Sequence, residues 1–311
     1  MTAPPKVKDF IETEEGLVFA VVSAGWEGNK ALCFLRYLKQ AHGWQKLASA
    51  QANAFLKQNH PQYLYYSPVL DAWLHAVPSE QIYIHHQPRQ RLQQLLHTKN
   101  HDPIESDAHH LCDLLQRHGI DMAQFGVTGS LLIGAQGQRS DIDLVCYQKP
   151  MFHQCRQTIQ TLIAQSHLRD LSDSDWQEAY QRRDCTLSFE DYVWHERRKY
   201  NKAIINARKF DIGLVAEKTP QATTYQKLGH TTLSCQVTDD GQAFDYPAEF
   251  AVAHPEITSI VSFSATYVGQ AQRGETIEVS GLLEQNQNGV KRLVVGSSRE
   301  APGEYIKVIH A

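Results

Sequence analysis

Residues 124–147, QFGVTGSLLIGAQGQRSDIDLVCY, constrain this chain more than any other stretch. The apolar runs from Phe125 to Thr128 and from Asp141 to Tyr147 are short and read as buried strands. Between them come Gly129 and Ser130, a turn, and then a short helix or loop. Asp141 and Asp143 open the second strand at positions i and i+2, which share a face of a strand. At roughly 3.3 Å of rise per residue their charges sit about 6–7 Å apart. Two ionised carboxylates that close repel each other unless a cation lies between them. Hard divalent ions with oxygen ligands, Mg2+ above all, suit such a pair. Glycine permits a tight turn and a close approach of backbone to ligand. Backbone N–H groups and the Ser130 hydroxyl at a helix N-terminus form an anion site. The stretch therefore outlines a metal and phosphate site, and predicts metal-dependent phosphoryl transfer.

Gly129-Ser130, ten residues, and then Asp141-Ile142-Asp143-Leu144 resembles the signature of the DNA polymerase beta-type nucleotidyltransferase superfamily. The resemblance is clear over 124–147 and extends to 216. It implies a mixed-sheet core with helices and a third carboxylate on a later strand. RKFDIGLVA, residues 208–216, supplies that carboxylate as Asp211. It also implies that Asp141, Asp143 and Asp211 are catalytic and hold two metal ions, Mg2+ or Mn2+. Gly129 and Ser130 would engage the triphosphate of ATP or another nucleoside triphosphate. The implied reaction passes a nucleoside monophosphate to an acceptor hydroxyl and releases pyrophosphate.

A chain of 311 residues predicts two or three domains. The expected class is α+β and multidomain: an N-terminal α+β segment at 9–95, a polymerase beta-like core at 96–219, and a small OB-like β-barrel at 220–311. A formal net charge of −4 argues against a globally basic nucleic-acid coat and leaves room for a local basic patch. No run reaches ~18 consecutive apolar residues, so no membrane partner is expected. MTAPPKVKDF lacks the apolar centre of a signal peptide. Six cysteines without C-x-x-C spacing predict reduced thiols in the cytoplasm rather than a disulfide framework or a zinc site.

In the N-terminal segment, Glu15-Gly16 predicts a hairpin turn, 49–58 a helix and 81–86 a strand. His85-His86 and His109-His110 are adjacent pairs without helical ligand spacing and receive no metal role. Asp102-Pro103 opens an amphipathic helix that Gly119 stops. Helices are also expected from Pro150 to Leu168 and from Ser172 to Arg183, and Ser188 with Asp191 predicts a further helix cap. From His195 to Lys209 six cations (Arg197, Arg198, Lys199, Lys202, Arg208 and Lys209) face one acid, Glu196. That run predicts a cationic wall toward triphosphate or a nucleic-acid backbone, with Arg198 and Lys199 as the phosphate contacts.

After Pro220, short alternating runs punctuated by glycine predict a small barrel or sandwich. GETIEVSGLLE resembles an OB-type barrel strand, and such barrels take single strands through aromatics and a basic groove. Three functions stay open: an enzyme modifying a single-stranded nucleic-acid or RNA end, an adenylyltransferase acting on a protein or small molecule, and a non-catalytic nucleotide-binding or interaction module.

Overall fold

The computed structural model describes residues 4–99, 102–183, 185–215, 223–298 and 301–309. The chain is α+β and multidomain, and it divides into two compact units. The first comprises Met1–Cys155 and Ile205–Pro220, the second Arg156–Ile204 and Gln221–Ala311. Residues 156–204, expected inside the catalytic core, thus group with the C-terminal strands. The expected boundary at 219/220 lies outside the described residues.

The first unit begins with seven strands: β1 (Phe10–Glu12), β2 (Leu17–Val21), β3 (Lys30–Gln40), β4 (Gly43–Lys46), β5 (Leu64–Ser67), β6 (Ala72–Pro78) and β7 (Ile84–His86). They form one sheet in the order β5-β6-β3-β2-β1-β7, with β4 paired to β3. Gly16 turns the β1–β2 hairpin at φ +76°, a conformation glycine adopts without steric cost. Alternation gives the sheet two apolar faces. Ile11, Phe19 and Leu35 pack with Leu56 of helix α1 (Ser49–Asn59). Phe10, Val18 and Tyr37 pack instead with Leu132. The buried carboxylates of this sheet are met locally by imidazoles: His85 Nε2 lies 2.7 Å from Asp9 and His86 Nε2 lies 2.9 Å from Glu12.

Two helices follow, α2 (Pro88–His97) and α3 (Pro103–Arg117). Helix α3 starts where the sequence places it. Asp102 accepts from the Ile104 and Glu105 amides at 2.8 Å, and Glu105 returns to the Asp102 amide in a capping box. Its inward stripe, Ile104, Ala108, Leu111, Cys112 and Leu115, keeps i, i+3/i+4 spacing, whereas Leu114 is only half-buried. Strands β8 (Phe125–Thr128) and β9 (Ile142–Cys146) come next, then helix α4 (Lys149–Ala164), where the chain leaves the first unit. The chain returns through β10 (Lys202–Ile205) into β11 (Arg208–Leu214), completing a mixed sheet in the order β10-β11-β9-β8. Gly126 of β8 has no room for a side chain, because a Cβ there would stand 2.7 Å from Pro88 at the start of α2.

The second unit holds α5 (Asp173–Arg183), α6 (Phe189–Arg197) and six strands: β12 (Tyr225–Gln242), β13 (Ala248–Ala253), β14 (Ile257–Ser262), β15 (Thr276–Asn286), β16 (Lys291–Val295) and β17 (Tyr305–Val308). Strand β12 pairs with both β13 and β15, so the pairings β12-β13-β14-β16-β15 return to β12. Every pairing of this circuit is antiparallel except β14 with β16. Ile260, Ile277, Val279 and Leu293 pack in one core with Trp176 and Tyr192 from the helices. His195 of α6 is buried, donating from Nδ1 to the Asp191 carbonyl (2.6 Å) and accepting at Nε2 from the Val308 amide (3.1 Å).

Burial above all pushes the His195 imidazole down to about 4, against the opposing pull of its bond to Asp191. Its folded-state value lies below its unfolded one, so the stability it contributes is complete above about 6.5 and is lost as pH falls toward 4. The expected loss is about 2–3 kcal/mol. Urea unfolding of wild type and His195→Gln, monitored from pH 7 to pH 4, measures it. The variant's acid slope should be shallower.

Candidate functional site

The carboxylates lie on one face of the mixed sheet. Along β9, Ile142, Leu144 and Cys146 are buried and Asp143 is half-buried. Along β11, Phe210, Ile212 and Leu214 are buried while Asp211 and Gly213 are half-buried. The two strands run parallel with Asp211 abreast of Asp143, and neighbouring strands lie about 4.8 Å apart. Asp141 stands two residues earlier, half-buried, just ahead of β9. On the other side β8 sets Thr128 opposite Asp143.

Electrostatics agree with that crowding. Burial first, then the charge of Asp211 and more weakly that of Asp141, push the Asp143 carboxyl up to about 6, with Lys8 and Lys46 opposing. Among the described residues no group of three or more His, Cys, Asp or Glu side chains is drawn in closely enough to hold a metal ion. What register brings together is therefore three carboxylates that repel one another.

Gly129 follows Thr128 directly and sits at φ +65°, in the left-handed region. A Cβ there would collide with Asp143 Oδ2, so the turn lies against the carboxylate. Ser130 is half-buried beside it. The sequence predicts a helix or loop after this pair, and the structure has one 3-10 turn, Gly129–Leu132. So short a turn carries little macrodipole, so anion binding here falls to local N–H groups, the Ser130 hydroxyl and nearby cations.

Arg208, the first residue of β11, positions the loop that delivers Asp141. Its Nη1 donates to the carbonyls of Ser140 (2.8 Å) and Gln138 (3.2 Å), and its Nε to Asp107 (2.7 Å). Its place in the basic run was its only sequence signal. Neither Thr128 nor the lysines Lys8 and Lys46 carried any.

Arg198 and Lys199, the expected phosphate contacts, belong to the second unit, whereas the carboxylates belong to the first. Arg198 reaches the Glu275 carboxylate at 2.6 and 2.7 Å and stacks 4.3 Å from the Trp194 ring centre. Lys199 is buried, with its ammonium 2.5 Å from Glu196 and 2.8 Å from the Thr266 carbonyl. Lys199, a buried ammonium, must be paired where it lies, and the half-buried Arg198 is paired with Glu275.

Among the described residues no helix is long and apolar enough to cross a membrane. No family model and no solved structure matches the chain. An alignment over 336 residues, covering 97% of the chain and 98% of its relative, gives 34% identity to the uncharacterized protein MJ1086 of Methanocaldococcus jannaschii. That likeness runs through both compact units, and the chain accordingly belongs to the same family as MJ1086.

Proposed function

We propose that the protein is a metal-dependent nucleotidyltransferase built on a polymerase beta-like core. The observation that carries this reading is register: Asp211 lies abreast of Asp143, with Asp141 two residues away and a glycine turn against the same carboxylate. The donor set fits a hard divalent cation. It is all oxygen, it carries three negative charges, and the charges of Asp211 and Asp141 raise the proton affinity of Asp143 when nothing neutralises them. A cation such as Mg2+ held by Asp141, Asp143 and Asp211 would neutralise phosphate charge and acidify the attacking hydroxyl.

The protein's own groups do the rest. The Gly129-Ser130 turn holds the β- and γ-phosphates and leaves the α-phosphorus open to in-line attack. The acceptor oxygen forms its bond to that phosphorus as the bond to the β-phosphate oxygen breaks. The leaving electron pair departs with pyrophosphate, and the Asp211 carboxylate takes the hydroxyl proton. Positioning and charge supply most of the acceleration.

A single-stranded nucleic-acid end is the favoured acceptor. The circuit of five strands with one parallel contact supports an OB-type barrel in the second unit. Barrels of that kind track phosphate backbones.

The test is incubation of the full chain with each α-labelled triphosphate, Mg2+ and oligonucleotide, protein or small-molecule acceptors. Transfer to an acceptor is expected, with at least ~1,000-fold loss in Asp211→Asn. A wild type that labels nothing sinks the reading.

A further inference from the structure

The residues just ahead of β1 bear directly on the carboxylate face, within the same compact unit. Thr128, abreast of Asp143, donates its hydroxyl to the Lys8 carbonyl at 2.8 Å. Val7, one residue earlier, packs with Val145, Tyr147 and Val215. Val145 and Tyr147 are two and four residues past Asp143, on the same face of the strand line. The last residue of the glycine turn, Leu132, is 4% exposed and sits among Phe10, Val18 and Tyr37 of the sheet. Tyr37 pairs across β3 and β4 with Lys46, and residues directly opposite in antiparallel strands project to the same side. Lys46 therefore leaves the sheet on the side that receives the glycine turn. Lys8 and Lys46 are both exposed.

We infer that Lys8, in the turn just ahead of β1, and Lys46 of β4 are the cations that grip the triphosphate over Asp141, Asp143 and Asp211, so that the nucleotide site is completed by a segment outside the polymerase beta-like core. This rests on the nucleotidyl-transfer reading and gives the N-terminal sheet its role. Three carboxylates repel a substrate that is itself highly negative. A divalent ion offsets part of that repulsion, and the cationic groups of the 195–209 run that sequence pointed to, Arg198 and Lys199, are held by Glu275 and Glu196. One ammonium group on the sheet that seats the phosphate turn and one in the turn just ahead of that sheet are placed to supply the remainder. Lysine suits the task as a compact point charge that meets phosphate oxygens from several directions.

The experiment measures equilibrium binding of ATP, GTP, CTP and UTP with Mg2+, and of the corresponding monophosphates, to the full chain. Wild type is compared with Lys8→Ala, Lys46→Ala, the double variant and Lys46→Arg, each checked for an unchanged circular dichroism spectrum. Each single alanine variant is expected to raise the triphosphate Kd about tenfold and the pair about a hundredfold, the size of a lost charge-assisted contact. Monophosphate affinity should move less than about threefold, and arginine at 46 should recover most of the loss. Unchanged triphosphate binding in the folded double variant, while Asp211→Asn still loses transfer, overturns the inference and leaves the catalytic reading standing. Equal losses of monophosphate and triphosphate binding would reduce the lysines to a structural role and overturn it as well. A wild type that binds no triphosphate removes both.

Discussion

At pH 7 and without divalent metal, an Asp143→Asn protein is expected to melt at a higher temperature than the wild type and to transfer no measurable nucleotide. The two halves of that result have one cause. Burial and the neighbouring charges of Asp211 and Asp141 raise the Asp143 carboxyl from 3.8 to about 6. A folded-state value above the unfolded one means that the fold favours the protonated form. The stability this group contributes is complete below about 4 and is lost as pH rises through about 6. At neutral pH the ionised carboxylate therefore destabilises the native state. Two pKa units set an upper limit of about 3 kcal/mol, and the half-buried position of Asp143 brings the expected gain in the amide to about 1–2 kcal/mol. Comparing wild type with variant at each pH cancels the opposite contribution of His195. Addition of Mg2+ should raise the wild-type midpoint and leave that of the Asp143→Asn variant almost unmoved. Loss of transfer should exceed ~1,000-fold. A variant that melts lower than wild type in EDTA would show that the carboxylate face is not electrostatically strained. Retained transfer would remove Asp143 from the site.

Local signals were legible in the sequence, and long-range pairing was not. Strand β8 lies where Phe125 to Thr128 predicts it, and β9 is one residue shorter at each end than its apolar run. Helix α3 was readable because Asp102, Pro103 and Glu105 all act within one turn. The Asp211 strand was readable as a strand, yet only the resemblance said that it should lie beside β9. Register between segments this far apart in the chain is fixed by tertiary packing, which leaves no local trace. The same limit hid the contact between the Lys8 carbonyl and Thr128, because nothing near Lys8 in sequence points to a residue 120 positions away. The basic run misled for a related reason. A string of cations states charge but not pairing, and Glu196 and Glu275, one inside the run and one far beyond it, take up Lys199 and Arg198.

Glu196→Ala is expected to destabilise the second unit by about 3–5 kcal/mol, the cost of leaving a buried charge without its counterion. Glu196 and Lys199 are both almost fully buried, and Lys202 approaches the other carboxylate oxygen at 2.7 Å. Burial alone would favour the neutral acid, but Lys199 and Lys202 outweigh it and hold the Glu196 carboxyl well below the usual carboxylate range. Burial lowers the Lys199 ammonium to about 8 against the pull of Glu196. Removing the carboxylate therefore strands a cation whose other acceptor among the described residues is the Thr266 carbonyl. That bond also ties residues 156–204 to residues 221–311, the two stretches that build the unit. Pairing Glu196→Leu with Lys199→Met should recover most of the lost stability, since an apolar pair of similar volume needs no counterion. Lys202, half-buried, can turn its ammonium to solvent in that background. Denaturant unfolding of Glu196→Leu, Lys199→Met and the double variant completes the cycle. A loss under about 1 kcal/mol in Glu196→Ala would mean that the ion pair is hydrated. The folded double variant should also bind triphosphate as the wild type does, because Lys199 is a structural cation. A roughly tenfold weaker Kd in that variant would return Lys199 to the phosphate site that its sequence suggests.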